Sequence, residues 1–296
     1  MLELARKVRF CLNADGPRDA AAAPRDNTFS AWPAMRGLGR YYELTVRCVG
    51  EADPTTGYFM NIKRIDAAVR DHVLPELQRL VTGPTPATQL PMGWLMRRMV
   101  ELLQPALDHT VATLTLHLTP MYRLVMETAA MDSVVIRQQY EFSAAHRLHV
   151  DSLTEQQNRE VFGKCNNPAG HGHNYRLDVA VRVPIDHEGH LPAVEKLDAL
   201  VNEHVIELLD HKHLNTDVPQ FQNTNPSVEH IAQVIWQMLA EPVQSLDSQG
   251  RATLAEISVW ETEKTVCTYR GPGQGDAPAP ATGGAGAGTA PPMFGA

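Results

Sequence analysis

The chain has 296 residues, a formal net charge of −8 at pH 7 and a hydrophobic content of 43%. That length holds one large domain or two of ordinary size, with enough apolar residues for a core. The negative balance argues against nucleic acid as a partner, because phosphate-backbone binding draws on Lys and Arg patches. A small anionic substrate needs only a local cationic pocket and stays open. No apolar run approaches the ~20 residues of a membrane helix. Met1-Leu2-Glu3-Leu4-Ala5-Arg6-Lys7 lacks the charged-then-apolar order of a signal peptide. Cys11, Cys48, Cys165 and Cys267 lie far apart with no CxxC pair, which indicates neither a disulfide framework nor a thiolate zinc site. The expectation is a cytoplasmic protein without membrane contact.

In chain order, Tyr42-Glu43-Leu44-Thr45-Val46 reads as a strand, Ile65 to Val73 and Leu95 to Leu103 as helices, and Val111 to Leu118 as a strand. Residues from about 133 to 145 form a further strand leading into a polar loop. Tyr175, Leu177, Val179, Val181 and Val183 alternate with Arg176, Asp178 and Arg182, a strand with one wet face. A helix is expected from about Val194 to Leu209. Another starts near Asn225-Pro226, with Asn as cap and Pro in the first helical position. Strands from Ala255 to Trp260 and Thr265 to Tyr269 complete an order β-β-α-α-β-β.

The first half repeats that order at a shift near 132 to 136 residues, the signature of an internal duplication. Tyr42–Val46 lies against Tyr175–Val179, and Ile65–Val73 against Leu197–Val205. Three units follow: a degenerate domain over 1–131, a catalytic domain over 132–270, and a Gly/Ala/Pro tail over 271–296 too poor in apolar residues to order itself.

The chemistry concentrates in Gly163-Lys164-Cys165-Asn166-Asn167-Pro168-Ala169-Gly170-His171-Gly172-His173-Asn174-Tyr175. On a strand, residues i and i+2 share a face, so His171 and His173 converge, and Gly172 leaves the opposite face free for a backbone or a ligand. Two convergent imidazoles begin a metal site, and the thiol upstream is a candidate catalytic group. In the first half Leu38 and Arg40 stand opposite these histidines, Trp32 opposite Cys165, Ala14 opposite His146, and Gln78-Arg79 opposite Asp210-His211. The scaffold persists there without the polar groups.

Residues 133–270 resemble the 6-pyruvoyltetrahydropterin synthase family. The resemblance rests on Phe142-Ser143-Ala144-Ala145-His146-Arg147-Leu148, on Phe162 to Pro168 running into His171-Gly172-His173-Asn174-Tyr175, on Leu209-Asp210-His211-Lys212-His213-Leu214-Asn215, on Pro226-Ser227-Val228-Glu229 and on Val259-Trp260-Glu261-Thr262. It implies an α+β architecture, a tandem T-fold with antiparallel sheets, helices on one face and subunits joined into an oligomeric β-barrel. It implies an enzyme that eliminates triphosphate from 7,8-dihydroneopterin triphosphate and rearranges the side chain into a diketone. By resemblance, His146, His171 and His173 hold zinc, and Cys165 is the general base with Asp210 and His211 as its relay. Glu261 anchors the pterin ring, with Glu229 and Ser227 as further substrate contacts. His213 competes with His211 as the active imidazole. Ser227 and His230 stand where the family more often has Thr and Asn. The related 6-carboxytetrahydropterin synthase of queuosine biosynthesis shares fold, metal and substrate. The five-residue gap between Cys165 and His171 matches the pyruvoyl type. A non-catalytic zinc- or pterin-binding protein is the reading from a different class.

Overall fold

A computed structural model of the chain describes residues 1–14 and 31–272, so most of the Gly/Ala/Pro tail lies outside the described residues. The first half runs β1 (Leu2–Leu12), β2 (Arg40–Gly50), α1 (Ile62–Ala68), α2 (Leu74–Val81), α3 (Met92–Ala106), β3 (Val111–His117) and β4 (Tyr122–Glu127). The second runs β5 (Ser133–His146), α4 (Glu155–Phe162), β6 (His171–Pro184), α5 (Val194–Val201), α6 (Glu207–Leu209), β7 (Lys212–His213), α7 (Leu214–Asp217), α8 (Val228–Leu239), β8 (Thr253–Thr262) and β9 (Thr265–Tyr269).

One antiparallel sheet threads both halves in the order β1-β2-β3-β4-β5-β6-β8-β9, with β7 paired in parallel to β5. Alternation along the strands puts Leu44, Val46, Leu114, Leu116, Leu177 and Val179 on the core face. Ile65, Val69, Met96, Met99, Val201 and Ile235 of the helices close over that face in one continuous core.

The two halves share their irregularities. A five-residue π-turn interrupts the helix at Val69–Val73 and again at Asn202–Ile206, each 133 positions apart. The pairing of β2 with β3 shifts between Arg47 and Cys48, and that of β6 with β8 between Ala180 and Val181, again 133 apart. The helix expected over 194–209 is therefore broken into α5, a π-turn and α6. The uniform shift fails at the third strand. Leu44 pairs with Leu116 and Leu177 with Val259, so β2 and β6 differ by 133 positions and β3 and β8 by 143. The extra residues sit in the connections, where length changes cost little.

The face expected to be wet on β6 is only partly so. Asp178 is fully buried, and its carboxylate accepts from Arg123 Nη2 at 2.8 Å and Arg137 Nε at 2.9 Å. Arg137 also reaches Glu256. Arg123 belongs to the first half and Asp178 to the second, so this cluster clamps the seam between β4 and β5, which Arg182 and Glu127 extend at 3.1 Å. Alternation locates the polar residues, but neighbouring strands decide that they are sealed. Substituting Asp178→Asn leaves the half-buried Arg123 without a carboxylate and Arg137 with Glu256 alone, and urea unfolding should show a loss of about 3–5 kcal/mol. Unchanged stability would make the cluster incidental.

Candidate metal centre and active site

His146 closes β5 and pairs directly with His171, the first residue of β6. His173, two residues on, returns to the same face. One ligand atom from each of the three lies within 4.8 Å of the others, with Nε2 of His146 and Nε2 of His171 3.2 Å apart. His146 is fully buried, and its Nδ1–H donates to the Pro226 carbonyl at 2.7 Å, the tautomer assigned from that bond. Nε2 is then a bare lone pair aimed at the cluster, the outer support that metal-binding histidines commonly have. Burial pushes His146 down to about 4 and also lowers His171, so both are neutral at pH 7. His173 Nε2 and His171 Nδ1 are buried without a hydrogen-bond partner. Three imidazoles crowded together, with His173 Nε2 buried and unpartnered among them, are a poor arrangement for an empty core and a good one for a soft-to-borderline cation such as zinc.

The segment between β5 and β6 is fastened by asparagines. Asn215 accepts from Arg147 N and donates to Arg147 O, and Asn225 accepts from His149 N at 3.1 Å. Asn166 donates to Leu148 O at 2.8 Å, and Leu148 N donates to Cys165 O at 2.8 Å. Cys165 is thereby fixed in a short 3-10 turn over Gly163–Asn166. Burial pushes its thiol up, and the charge of Glu261 adds to that. The glycine that the local geometry demands is Gly170, not Gly172. Gly170 has φ +72°, and a Cβ there would stand 2.7 Å from His213 Nε2, whereas one at Gly172 meets only Ala144 O at 3.6 Å.

Glu261, near the end of β8, brings Oε1 to 3.5 Å from His146 Nε2 and 3.8 Å from His173 Nε2. It stands at the histidine cluster itself, available as an oxygen ligand or as an acceptor for substrate donors. Tyr175, next along the histidine face, is fully buried with an unpartnered hydroxyl. Burial raises its pKa, and the charges of Glu261 and Cys165 raise it further. The helix carrying Glu229 starts later than the Asn-Pro signal suggests. Ser227 is the cap, its hydroxyl accepting from His230 N at 3.4 Å, and Val228 is the first helical residue. Asn225 is drawn away to His149, which a sequence pattern cannot show. The Ser227 hydroxyl also bonds Glu229 and holds that carboxyl below its usual value.

Asp210 and His211 form a pair of their own. Asp210 Oδ1 accepts from Ser143 N at 2.7 Å, and its Oδ2 bonds His211 Nδ1 at 2.7 Å. His211 sits at φ +56°, a left-handed backbone uncommon for a non-glycine residue. Its side chain is 81% exposed and lines a cleft of about 620 Å³ with Ser143, Gly172, Asn174 and Asp217. Within one chain neither Asp210 nor His211 bonds Cys165. His213 is nearer the histidines: it lowers the His146 pKa, adjoins Gly170, and its Nδ1 is buried without a partner.

The 6-pyruvoyl tetrahydropterin synthase family model matches residues 135–272. The 6-pyruvoyl tetrahydrobiopterin synthase of Drosophila melanogaster is 41% identical over 132 residues, which cover 44% of this chain and 76% of that protein. The chain belongs to the 6-pyruvoyl tetrahydropterin synthase family. The 6-pyruvoyl tetrahydrobiopterin synthase of Homo sapiens is 35% identical over 137 residues, 46% of this chain and 90% of that protein. The solved structure of the Caenorhabditis elegans 6-pyruvoyl tetrahydropterin synthase has 36% identity, covers 47% of this chain and 96% of that one, and has a TM-score of 0.42. The family match spans every candidate residue from His146 to Glu261 and leaves residues 1–134 outside it. Tyr175 and the Pro226 carbonyl are absent from the expected site residues, whereas His213 is the expected rival of His211 and stands beside Gly170. Alternation from His171 and His173 signals Tyr175, and only the fold reveals the carbonyl.

Proposed function

We propose that the chain is a zinc-dependent lyase of the 6-pyruvoyl tetrahydropterin synthase type, acting on 7,8-dihydroneopterin triphosphate. The observation that carries the reading is the convergence of His146, His171 and His173 beside Cys165 and Glu261. The three imidazoles would hold zinc, which when bound would supply Lewis acidity toward a side-chain hydroxyl of the substrate and a charge opposing the burial that raises the Cys165 thiol. Cys165 takes the side-chain proton as general base. Glu261 accepts two parallel bonds from the flat pair of donors on the pterin ring. Ser227 and Glu229, at the start of α8, are further substrate contacts. Asp210 orients His211 as the proton relay.

Because His211 is exposed and unbonded to Cys165 in its own chain, the relay reaches a Cys165 of another copy in a homo-oligomer. Among the described residues β9 ends the sheet without an outer partner, which supports that assembly, since an unpaired strand edge invites pairing and barrel closure removes it; the outer edge of β1 is bridged at Arg9 and Cys11 by Trp32 and Pro33. The shared π-turns and bulges support a tandem duplication in which residues 1–131 form a degenerate T-fold and 132–270 the catalytic one. Among the described residues no helix is long and apolar enough to cross a membrane, and a cytoplasmic location follows from the same reading.

The test is to incubate zinc-loaded protein with 7,8-dihydroneopterin triphosphate and weigh the pterin product, with triphosphate and acetaldehyde assayed alongside. A pyruvoyl pterin with released triphosphate is expected. Acetaldehyde with a carboxypterin would move the chain to the other branch, and no product from a zinc-replete sample would leave a binding role.

A further inference from the structure

The first half keeps a cavity where the second keeps its active site. It measures about 260 Å³, and Leu12, Tyr42, Leu77, Leu95, Leu116 and Leu118 line it. Arg40 is exposed and borders it. Arg40, Leu12 and Val81 are shared with an adjoining groove of about 630 Å³ that also holds Arg36 and Gly37-Leu38-Gly39. Among the described residues neither lining contains an Asp or Glu.

The strand registers say which positions these are. With β2 and β6 offset by 133, Arg40 and Tyr42 stand at the places of His173 and Tyr175, while Leu38, opposite His171 by the same count, lies in the turn before β2. With β3 and β8 offset by 143, Leu118 stands at the place of Glu261. The pocket has therefore exchanged imidazoles for a fixed guanidinium, and the carboxylate beside them for a leucine. A cation remains at the mouth, and the wall that accepts polar donors in the second half is apolar.

We infer that this cavity is a metal-independent site for a small anionic amphiphile, an apolar body in the leucine-lined cavity with one anionic head on Arg40. A guanidinium stays charged at any physiological pH and offers a planar fork to a carboxylate, sulfonate or phosphate. Burying apolar ligand surface among the leucines supplies the non-directional part of the affinity. A pterin is disfavoured, because its ring donors would face Leu118 without an acceptor.

The experiment is a fluorescence titration of the full chain with 8-anilinonaphthalene-1-sulfonate, followed by displacement with decanoate and with decanol. The inference requires saturable binding of one probe per chain, displaced by decanoate at lower concentration than by decanol. Arg40→Glu should weaken it by about tenfold or more, since it removes a charge-assisted contact and adds a repulsive one. Leu118→Glu, from inside the cavity, should weaken it too, while His146→Ala should leave it intact because the histidine cluster is a separate site. Non-saturable binding, indifference to both Arg40→Glu and Leu118→Glu, or loss in His146→Ala would overturn it. None of these outcomes depends on turnover, so the site stands or falls apart from the proposed lyase activity.

Discussion

Cys165→Ala should lower turnover by about 10²–10⁴-fold, the contribution of a positioned general base, with zinc still bound at one ion per chain. The two readouts separate because Cys165 lies in the turn over Gly163–Asn166 and is not one of the converging imidazoles. Its turn is held by main-chain and asparagine bonds that the substitution leaves in place. Turnover near the wild-type value would remove the general-base role, and loss of zinc would make the thiol a support of the metal site. The same variant tests how the relay is delivered. His211→Ala should also be inactive, yet mixing it with Cys165→Ala chains should restore part of the activity, because an intact Cys165 of one copy then meets an intact Asp210–His211 pair of another. Failure of that mixing, together with an inactive His213→Ala protein, would transfer the relay to His213, whose Nδ1 is buried without a partner beside the site.

Removing the metal is the second large effect. Protein dialysed against a chelator should lose turnover and regain it with added zinc, while His146→Ala should not be reloadable under the same conditions. His146 is the most committed of the three: it is fully buried, cross-strand paired to His171, and tied through Nδ1 to Pro226 O. Losing only an outer support of a metal ligand costs about 10–100-fold in affinity, so deleting the ligand should cost more, read as zinc content after gel filtration. Retained zinc and retained activity in His146→Ala would refute the proposed ligand set. Circular dichroism checks the fold, because the alanine leaves a gap rather than a buried charge.

Much of the site is readable along the chain because it is local. His171 and His173 share a face by strand alternation alone, and Tyr175 follows by the same rule. Asp210 and His211 are sequence neighbours, and they do bond each other. What the sequence could not place is the relation between segments. The Asn225-Pro226 signal marks the start of α8 within two residues, but competition for Asn225 by His149 moves the cap to Ser227. Asp178 alternates as an outward polar residue, yet Arg123 and Arg137 from neighbouring strands bury it. The offset between halves holds for β2 with β6, where strand pairing and a helix π-turn resist change, and slips to 143 for β3 with β8, where loops absorb the difference.

The sequence by itself determined the strand-helix order, the repeat of that order, the histidine pair and the thiol beside it, because periodicity and short-range spacing are properties of one segment at a time. The tertiary structure alone decided that the Pro226 carbonyl stands behind His146, that Glu261 stands against the imidazoles, and that Asp210 and His211 bond Ser143 and each other rather than Cys165 of the same chain. It also decided that the first half keeps a leucine-lined cavity bordered by Arg40. Those are contacts between residues tens of positions apart, and only the register of a sheet and the packing of helices across it can set them.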